Sequence, residues 1–196
     1  LDEEIEVDPS QIDRDIVIPD TIRTIIKAFK SNLPAMFPDR KTVPKTLIFA
    51  KDDSHAEDIT NIVREVFGKG NEFCEKITYK TTGKKTPKEL IAEFRNSYNP
   101  RIAVTVDMIA TGTDIKPLEC VVFMRDVKSR NYFDQMKGRG CRIIDNDKLR
   151  SVTGDATGKD HFVIVDAVGV FEHDHSEMRS LSKKKGISFE NLLQSV

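Results

Sequence analysis

Two arginines three residues apart, Arg139 and Arg142, are the side chains of this sequence best suited to chemistry. Glycines stand directly before and between them, and Gln135 precedes Arg139 by four residues. The planar, permanently charged guanidinium group matches phosphate oxygens in both charge and geometry. Together with Asp114, these residues predict a phosphate-facing edge.

Apolar runs that alternate with helical patterns supply the elements that must position this edge. Strands are predicted at residues 46–50, 76–79, 102–106, 120–124 and 161–166, and helices begin near residues 20, 54 and 87. Such alternation predicts right-handed βαβ units and an α/β fold, a mostly parallel sheet in three α/β/α layers. Ligands of such folds bind at the carboxyl ends of the strands, so we expect the arginines there.

Capping and breaking residues set the predicted helix ends. Ser54, with Glu57 three residues later, predicts a capping box at the start of the second helix. Pro34 and Pro38 are expected to break the first helix, and Thr86 before a proline predicts the start of the third. The polar stretch 143–160 is expected to be an exposed loop or hairpin.

Bulk composition and missing motifs exclude several classes of protein. The net charge is -1, so any nucleic-acid contact needs a local basic patch. Three widely spaced cysteines and the lack of a bilayer-length apolar run predict a cytoplasmic protein with no membrane partner. The sequence contains no P-loop, no dinucleotide fingerprint, no nucleophile elbow and no pattern that predicts a metal site.

Three segments resemble motifs of the superfamily-two helicases and translocases. Residues 135–142 fit the sixth motif, Gln-x-x-Gly-Arg-x-x-Arg, residues 107–114 resemble the fifth motif, and residues 45–50 resemble the fourth. The resemblance covers roughly residues 40–170. Details around residues 104–108, 135–140 and 162–166 resemble most the R (motor) subunit of type I restriction endonucleases.

This resemblance implies a RecA-like helicase C-terminal lobe, of the P-loop NTPase type, belonging to an ATP-dependent translocase on double-stranded DNA. Residues 1–19 would link it to a preceding lobe, residues 20–170 would form the lobe, and residues 171–196 would begin a following helical region. The implied whole is an ATP-dependent type I site-specific deoxyribonuclease with modification and specificity subunits. Its first RecA-like lobe and nuclease domain would belong to the same polypeptide, and the isolated lobe would be inactive.

Carried over residue by residue, the motifs imply roles at a nucleotide. Arg142 would be the arginine finger, Arg139 a second γ-phosphate contact, and Gln135 would lie at the γ-phosphate or the attacking water. Asp114 would hold the ribose hydroxyl, and Gly112 would allow close backbone approach. The cofactors implied are ATP and Mg²⁺, with the Mg²⁺ ligands on the first lobe.

The same motifs imply contacts with the DNA backbone. Relatives often carry threonine directly before the fifth-motif aspartate, where this chain has Val106, with Thr105 one residue earlier. Because side chains alternate along a strand, Thr105 would point to the other face. The full set of DNA-contact candidates is Ser54, His55, Thr81, Thr82, Lys84, Thr105 and Thr111.

Two other interpretations remain. The chain fits the C-terminal lobe of another superfamily-two DNA helicase, for repair or remodelling, because the sixth motif does not separate these enzymes. It also fits a non-catalytic α/β module whose arginines bind a phosphate or a protein partner. A P-loop and an acidic Mg²⁺ motif in a preceding lobe would distinguish the motors from the module.

Overall fold

The computed structural model describes residues 17–80, 84–107, 114–127, 134, 135, 138, 142–168 and the backbone of 186–188. Its helices are α1 (Pro19–Met36), α2 (Asp53–Phe67), α3 (Pro87–Asn96) and α4 (Asn146–Val152), with a 3₁₀ turn at Asn71–Phe73. Its strands are β1 (Thr46–Ala50), β2 (Cys74–Lys76), β3 (Ile102–Thr105), β4 (Cys120–Met124), β5 (Val163–Asp166) and β6 (Gly186–Ser188).

The strands form a single sheet in the order β2-β3-β1-β4-β5-β6, and every neighbouring pair is parallel. Thr46 of β1 lies beside both Ile102 and Cys120, and Cys120 lies beside Val163. All strands therefore begin along one side of the sheet, called here the amino edge, and end along the opposite carboxyl edge. The predicted α/β class with a parallel sheet is confirmed.

The core lies in the central strands and the helices that cover them. Every residue of β1, β3, β4 and β5 is buried, as expected for strands covered on both faces. Phe49 and Phe123 are register partners on adjacent strands, and their rings stack with centroids 5.6 Å apart. Burial of each such phenyl group stabilises the fold by roughly 1.5–3 kcal/mol. The apolar faces of the helices complete the core with Ile22, Ile25, Ile26, Phe29, Ile59, Val63, Leu90 and Phe94.

Two predicted helix ends are corrected and one is confirmed. The N-cap of α2 is Asp52, whose carboxylate accepts from the backbone N–H of His55, and not Ser54. Helix α1 continues through Pro34 to Met36, because a proline this near the end removes only a hydrogen bond of the last turn. The capping box between Thr86 and Glu89 at the start of α3 is present as predicted.

Three further elements differ from the prediction. Strand β2 lies at Cys74–Lys76 and not at 76–79. The stretch 143–160 contains helix α4, which Asp145 caps by accepting from two backbone N–H groups. Strand β6 pairs with β5, so the sheet extends beyond residue 170 into the predicted following region. The predicted linker, apart from residues 17–19, lies outside the described residues, and no described helix has the length and apolar character to span a membrane.

Candidate functional site

The structure brings two of the predicted site residues together. The Nε atom of Arg142 lies 3.8 Å from Oδ1 of Asp114, and both side chains are about half exposed, 54% and 43% respectively. Lys116 places its Nζ atom 4.0 Å from Oδ2 of the same carboxylate. Exposed pairs at these distances contribute roughly 0–1 kcal/mol, so either group can turn to a ligand at little cost. Among the described residues, Oδ1 of Asp114 has no hydrogen-bond partner.

Lys159 joins the two backbone segments that carry this pair. Its Nζ atom donates to the carbonyl of Arg142 at 2.8 Å and to the carbonyl of Lys116 at 3.1 Å. No sequence pattern selects Lys159, because it belongs to no motif and follows Arg142 by 17 residues. Only the folded chain brings its side chain to both segments.

The pair lies near the amino edge of the sheet, and the expected position at the carboxyl edge is corrected. The backbone N–H of Val163, at the start of β5, donates to the carbonyl of Glu119, directly before β4. Arg40 donates to both the Glu119 carboxylate and the carbonyl of Gly158, the residue before Lys159. The reason is topological: since β3 and β4 are parallel, the chain between them must return from the carboxyl edge to the amino edge before β4 begins.

The other predicted nucleotide contacts are only partly described. Gln135 is exposed and has helical backbone, and no described hydrogen bond joins it to Asp114 or Arg142. Arg139 and Gly112 lie outside the described residues. Their roles therefore stay predictions.

A polar cluster occupies the carboxyl edge where β1 and β2 end. The Thr78 hydroxyl donates to Oδ1 of Asp53, and Lys76 pairs with Asp53 at 3.1 Å and with Glu57 at 2.7 Å. The Thr78 hydrogen bond, together with Lys76, lowers the pKa of Asp53 below its ordinary value. The first turn of α2 thus carries an ionised carboxylate that is already satisfied within the protein.

The predicted DNA contacts divide according to exposure. Ser54 and Lys84 are exposed, whereas His55 is 2% exposed and its Nδ1 atom accepts from the backbone N–H of Lys51. Thr105 is fully buried, and its hydroxyl donates to the carbonyl of Ile77. This conformation therefore does not offer His55 or Thr105 to a ligand. Thr81, Thr82 and Thr111 lie outside the described residues.

Two buried basic side chains, Lys45 and Arg101, hold the amino edge together, and sequence reasoning missed the role of both. Lys45 donates to the carbonyls of Ser97, Tyr98 and Pro100, and burial, with the nearby charge of Arg101, lowers its pKa to about 6. Arg101 is 1% exposed and donates to the carbonyl of Tyr98 and to three further groups. These three acceptors are the carbonyls of Val43 and Val152 and the Thr153 hydroxyl. Each basic group thus replaces its hydration with protein acceptors, Lys45 from the single segment 97–100 and Arg101 from three separate segments.

A buried ion pair and a carboxylate fix the segment after α4. Arg40 and Glu119 approach to 2.6 Å, with side chains only 8% and 1% exposed. Burial raises the pKa of Glu119, and the charge of Arg40 opposes that rise. Burial likewise opposes ionisation of Asp155, but hydrogen bonds from the backbone N–H groups of Thr42 and Lys41 hold its pKa below the ordinary value. The segment that carries Lys159 is therefore attached to the start of the sheet at several points.

Comparison with known proteins gives one matching family. The family described as helicase conserved C-terminal domain matches residues 24–144. The chain is 30% identical over 149 residues to the EcoKI type I restriction enzyme endonuclease subunit of Escherichia coli K12, covering 73% of this chain and 12% of that subunit. It is 29% identical over 135 residues to the EcoAI endonuclease subunit of Escherichia coli, covering 67% of this chain and 16% of that subunit.

Solved structures show the same fold. A fragment assigned to an HsdR subunit of a type I restriction enzyme from Vibrio vulnificus YJ016 matches with a TM-score of 0.62 at 21% identity, over 91% of this chain and 34% of that chain. Domain 2 of the DEAD-box helicase Mss116p, solved with an RNA duplex, matches with a TM-score of 0.56 at 20% identity, over 84% of this chain and 60% of that chain. The predicted RecA-like helicase C-terminal fold is confirmed.

Proposed function

Because the chain belongs to the family of helicase conserved C-terminal domains and is related to type I restriction endonuclease subunits, we propose that it is the second motor lobe of an ATP-dependent double-stranded DNA translocase. The observation that carries this proposal is the pairing of Arg142 with Asp114, since both come from helicase motifs and both are half exposed at one edge of the lobe.

The residues of this pair fit a nucleoside triphosphate. Asp114 has a buried carboxylate oxygen without a hydrogen-bond partner in the described part of the chain, and since its side chain is 43% exposed, a rotation of the carboxylate would let it accept from a ribose hydroxyl. Arg142 has an exposed guanidinium group that can donate to a γ-phosphate as its charge develops. An arginine in that role contributes about 10³–10⁵-fold in rate. Mg²⁺ would neutralise phosphate charge, with its ligands on the first lobe.

Hydrolysis in this proposal depends on a second lobe. The chain has no P-loop, so the nucleotide would be bound by the first lobe and Arg142 would reach it only when the two lobes close. The isolated chain would then hydrolyse ATP only marginally. Gln135 and Arg139 would complete the contact with the γ-phosphate and the attacking water. Gly112, which has no side chain, would allow the nucleotide to approach the backbone closely.

DNA would contact the carboxyl edge through its phosphates. Ser54 and Lys84 are exposed there or nearby, and the remaining candidates with hydroxyl groups are Thr81, Thr82 and Thr111. Contacts of this kind position the duplex and carry no sequence information. A motor that moves along any sequence needs contacts of this type.

The complete enzyme would be the R subunit of a type I restriction-modification system in the cytoplasm. This chain spans only 12% and 16% of the EcoKI and EcoAI subunits that it resembles. The nuclease domain would therefore lie elsewhere in the same polypeptide, and modification and specificity subunits would be its partners.

DNA-stimulated ATP hydrolysis by the complete polypeptide tests the proposal through Arg142→Ala. We expect turnover to fall at least about 10³-fold while nucleotide affinity stays within a few-fold, because the contact is made chiefly in the transition state. Arg95→Ala is the matched control, since Arg95 is an exposed arginine on α3 and no described bond joins it to Asp114 or Arg142. Unchanged turnover in Arg142→Ala would overturn the motor proposal and favour the phosphate- or protein-binding module.

A further inference from the structure

Lys159 occupies the junction between the fifth-motif and sixth-motif segments of the lobe. We infer that Lys159 is a positioning residue for Arg142, holding the end of the sixth motif at a fixed distance from the segment that carries Asp114. This inference rests on the proposed role of Arg142 and adds a residue to that site. The geometry that carries it is the double hydrogen bond from one ammonium group to the carbonyls of Arg142 and Lys116.

Both acceptors of the Lys159 hydrogen bonds are backbone carbonyls, so the lysine restrains the backbone of the two segments. A bond to a side chain would restrain that side chain alone, whereas a bond to the Arg142 carbonyl restrains the Cα atom from which the guanidinium group extends. The direct contact between Arg142 and Asp114 is 3.8 Å long, beyond hydrogen-bond distance, so it contributes less to the separation of the two segments than the Lys159 bonds, which are also exposed but shorter. Charge-assisted bonds of 2.8 and 3.1 Å are the stronger restraint.

Hydrogen bonds on either side of Lys159 attach its backbone to the sheet and to α1. The carbonyl of Gly158 accepts from Arg40 at 3.0 Å, and Arg40 pairs with Glu119 at the start of β4. Two residues after Lys159, the Nε2 atom of His161 lies 3.0 Å from the carbonyl of Met36, at the end of α1. Arg142 is therefore positioned by a chain of bonds that ends on β4 and α1.

The expected effect of losing the lysine is on turnover more than on nucleotide binding. A displacement of about 1 Å at a reacting centre can cost on the order of 100-fold in rate. Nucleotide affinity in this proposal depends chiefly on the P-loop of the first lobe, and Asp114, two residues from Lys116, contributes the smaller part. The kcat for ATP should therefore fall while KM stays nearly constant.

The experiment measures DNA-stimulated ATPase activity of the complete polypeptide carrying Lys159→Met, Lys159→Arg or Lys30→Met. Lys30 is the matched control, because its Nζ atom also donates to a backbone carbonyl, that of Val66, which belongs to none of the motifs. We expect Lys159→Met to lower kcat roughly 10- to 100-fold with KM within twofold. Lys159→Arg, which keeps donors, should recover at least part of the loss, and Lys30→Met should match wild type.

A double-mutant cycle with Arg142→Ala separates positioning from a general loss of structure. If Lys159 acts through Arg142, adding Lys159→Met to Arg142→Ala lowers kcat no further. Additive losses, or wild-type turnover in Lys159→Met, would overturn the inference while leaving the proposed function intact if Arg142→Ala is impaired. Full turnover in Arg142→Ala would instead overturn the proposed function and this inference with it. Titration of nucleotide-binding sites in each variant corrects kcat for any unfolded fraction, and Lys159→Arg keeps the test valid if Lys159→Met does not fold.

Discussion

Replacing Lys45 by methionine is expected to destabilise the 196-residue chain by about 2–6 kcal/mol. The Nζ atom of Lys45 donates to the carbonyls of Ser97 at 2.8 Å, Tyr98 at 3.1 Å and Pro100 at 2.5 Å, and the residue is fully buried. Methionine fills similar space but has no donor. The Tyr98 carbonyl keeps its bond from Arg101, so two carbonyls lose this donor at about 1–3 kcal/mol each.

The free energy of unfolding lost in Lys45→Met should depend on pH, and the pKa of Lys45 determines the direction of that dependence. Burial, aided by the charge of Arg101, lowers this pKa to about 6 from an ordinary value of 10.5. Between these two values the unfolded chain binds more protons than the folded chain, so stability from this group rises with pH. The difference between wild type and Lys45→Met should therefore widen from pH 6 to pH 9, by at most about 1.4 kcal/mol per unit.

Urea unfolding followed by circular dichroism at pH 6, 7.5 and 9 measures both effects. Lys30→Met is again the control, because Lys30 makes a single carbonyl bond at an exposed position and should cost less than about 1 kcal/mol. A cost below about 1 kcal/mol for Lys45→Met would show that the orphaned carbonyls find other donors, against the reasoning from geometry. A large cost that stays constant with pH would show that the ammonium keeps its ordinary pKa.

Two further predictions concern groups away from the amino edge. Because the Thr78 hydroxyl and Lys76 lower the pKa of Asp53, ionised Asp53 stabilises the fold above its unfolded pKa, and this contribution disappears as pH falls through the lower folded pKa. Asp53→Asn should thus cost about 1–2 kcal/mol at pH 7 in urea unfolding and progressively less toward pH 3, and a cost independent of pH would contradict the assignment. Burial raises the pKa of Cys74 and Cys120, so both thiols should react with iodoacetamide only after unfolding. Mass spectrometry of the labelled native chain tests this. Modification of either thiol in the folded chain, as fast as an exposed cysteine reacts, would contradict the prediction.

The sheet was predictable from sequence because its signal is local. Strands covered on both faces appear as continuous apolar runs, and the capping box at Thr86 is set by two residues three positions apart. The predicted cap of α2 was wrong because the local signal is ambiguous there. Asp52 and Ser54 are both capping residue types two positions apart, and only the backbone geometry selects between them. Strand β6 is three residues long, too short for periodicity to mark it.

The supports of the candidate site were not predictable, because they depend on which charged residues become buried. Lysine and arginine are rarely buried, so Lys45 and Arg101 carry no sequence signal of a structural role. Lys159 and Arg40 act on carbonyl groups distant in sequence, and backbone acceptors leave no residue type to search for. The motif residues could be found from the sequence because phosphate chemistry restricts their residue types. The residues that hold them in place are under no such restriction and could not be found in this way.

In the proposed motor, the two edges of the sheet would separate the nucleotide from the DNA, and the fifth-motif segment would connect them. Asp107, just after β3, pairs with Arg125, just after β4, at 3.1 Å on the carboxyl edge. Asp114 lies seven residues later near the amino edge, beside Arg142. Strand β4 has five residues, so the edges are roughly 15 Å apart. In this proposal the chain between Asp107 and Asp114 joins the two edges, and the Lys159 bond to Lys116 fixes the backbone just beyond its nucleotide end.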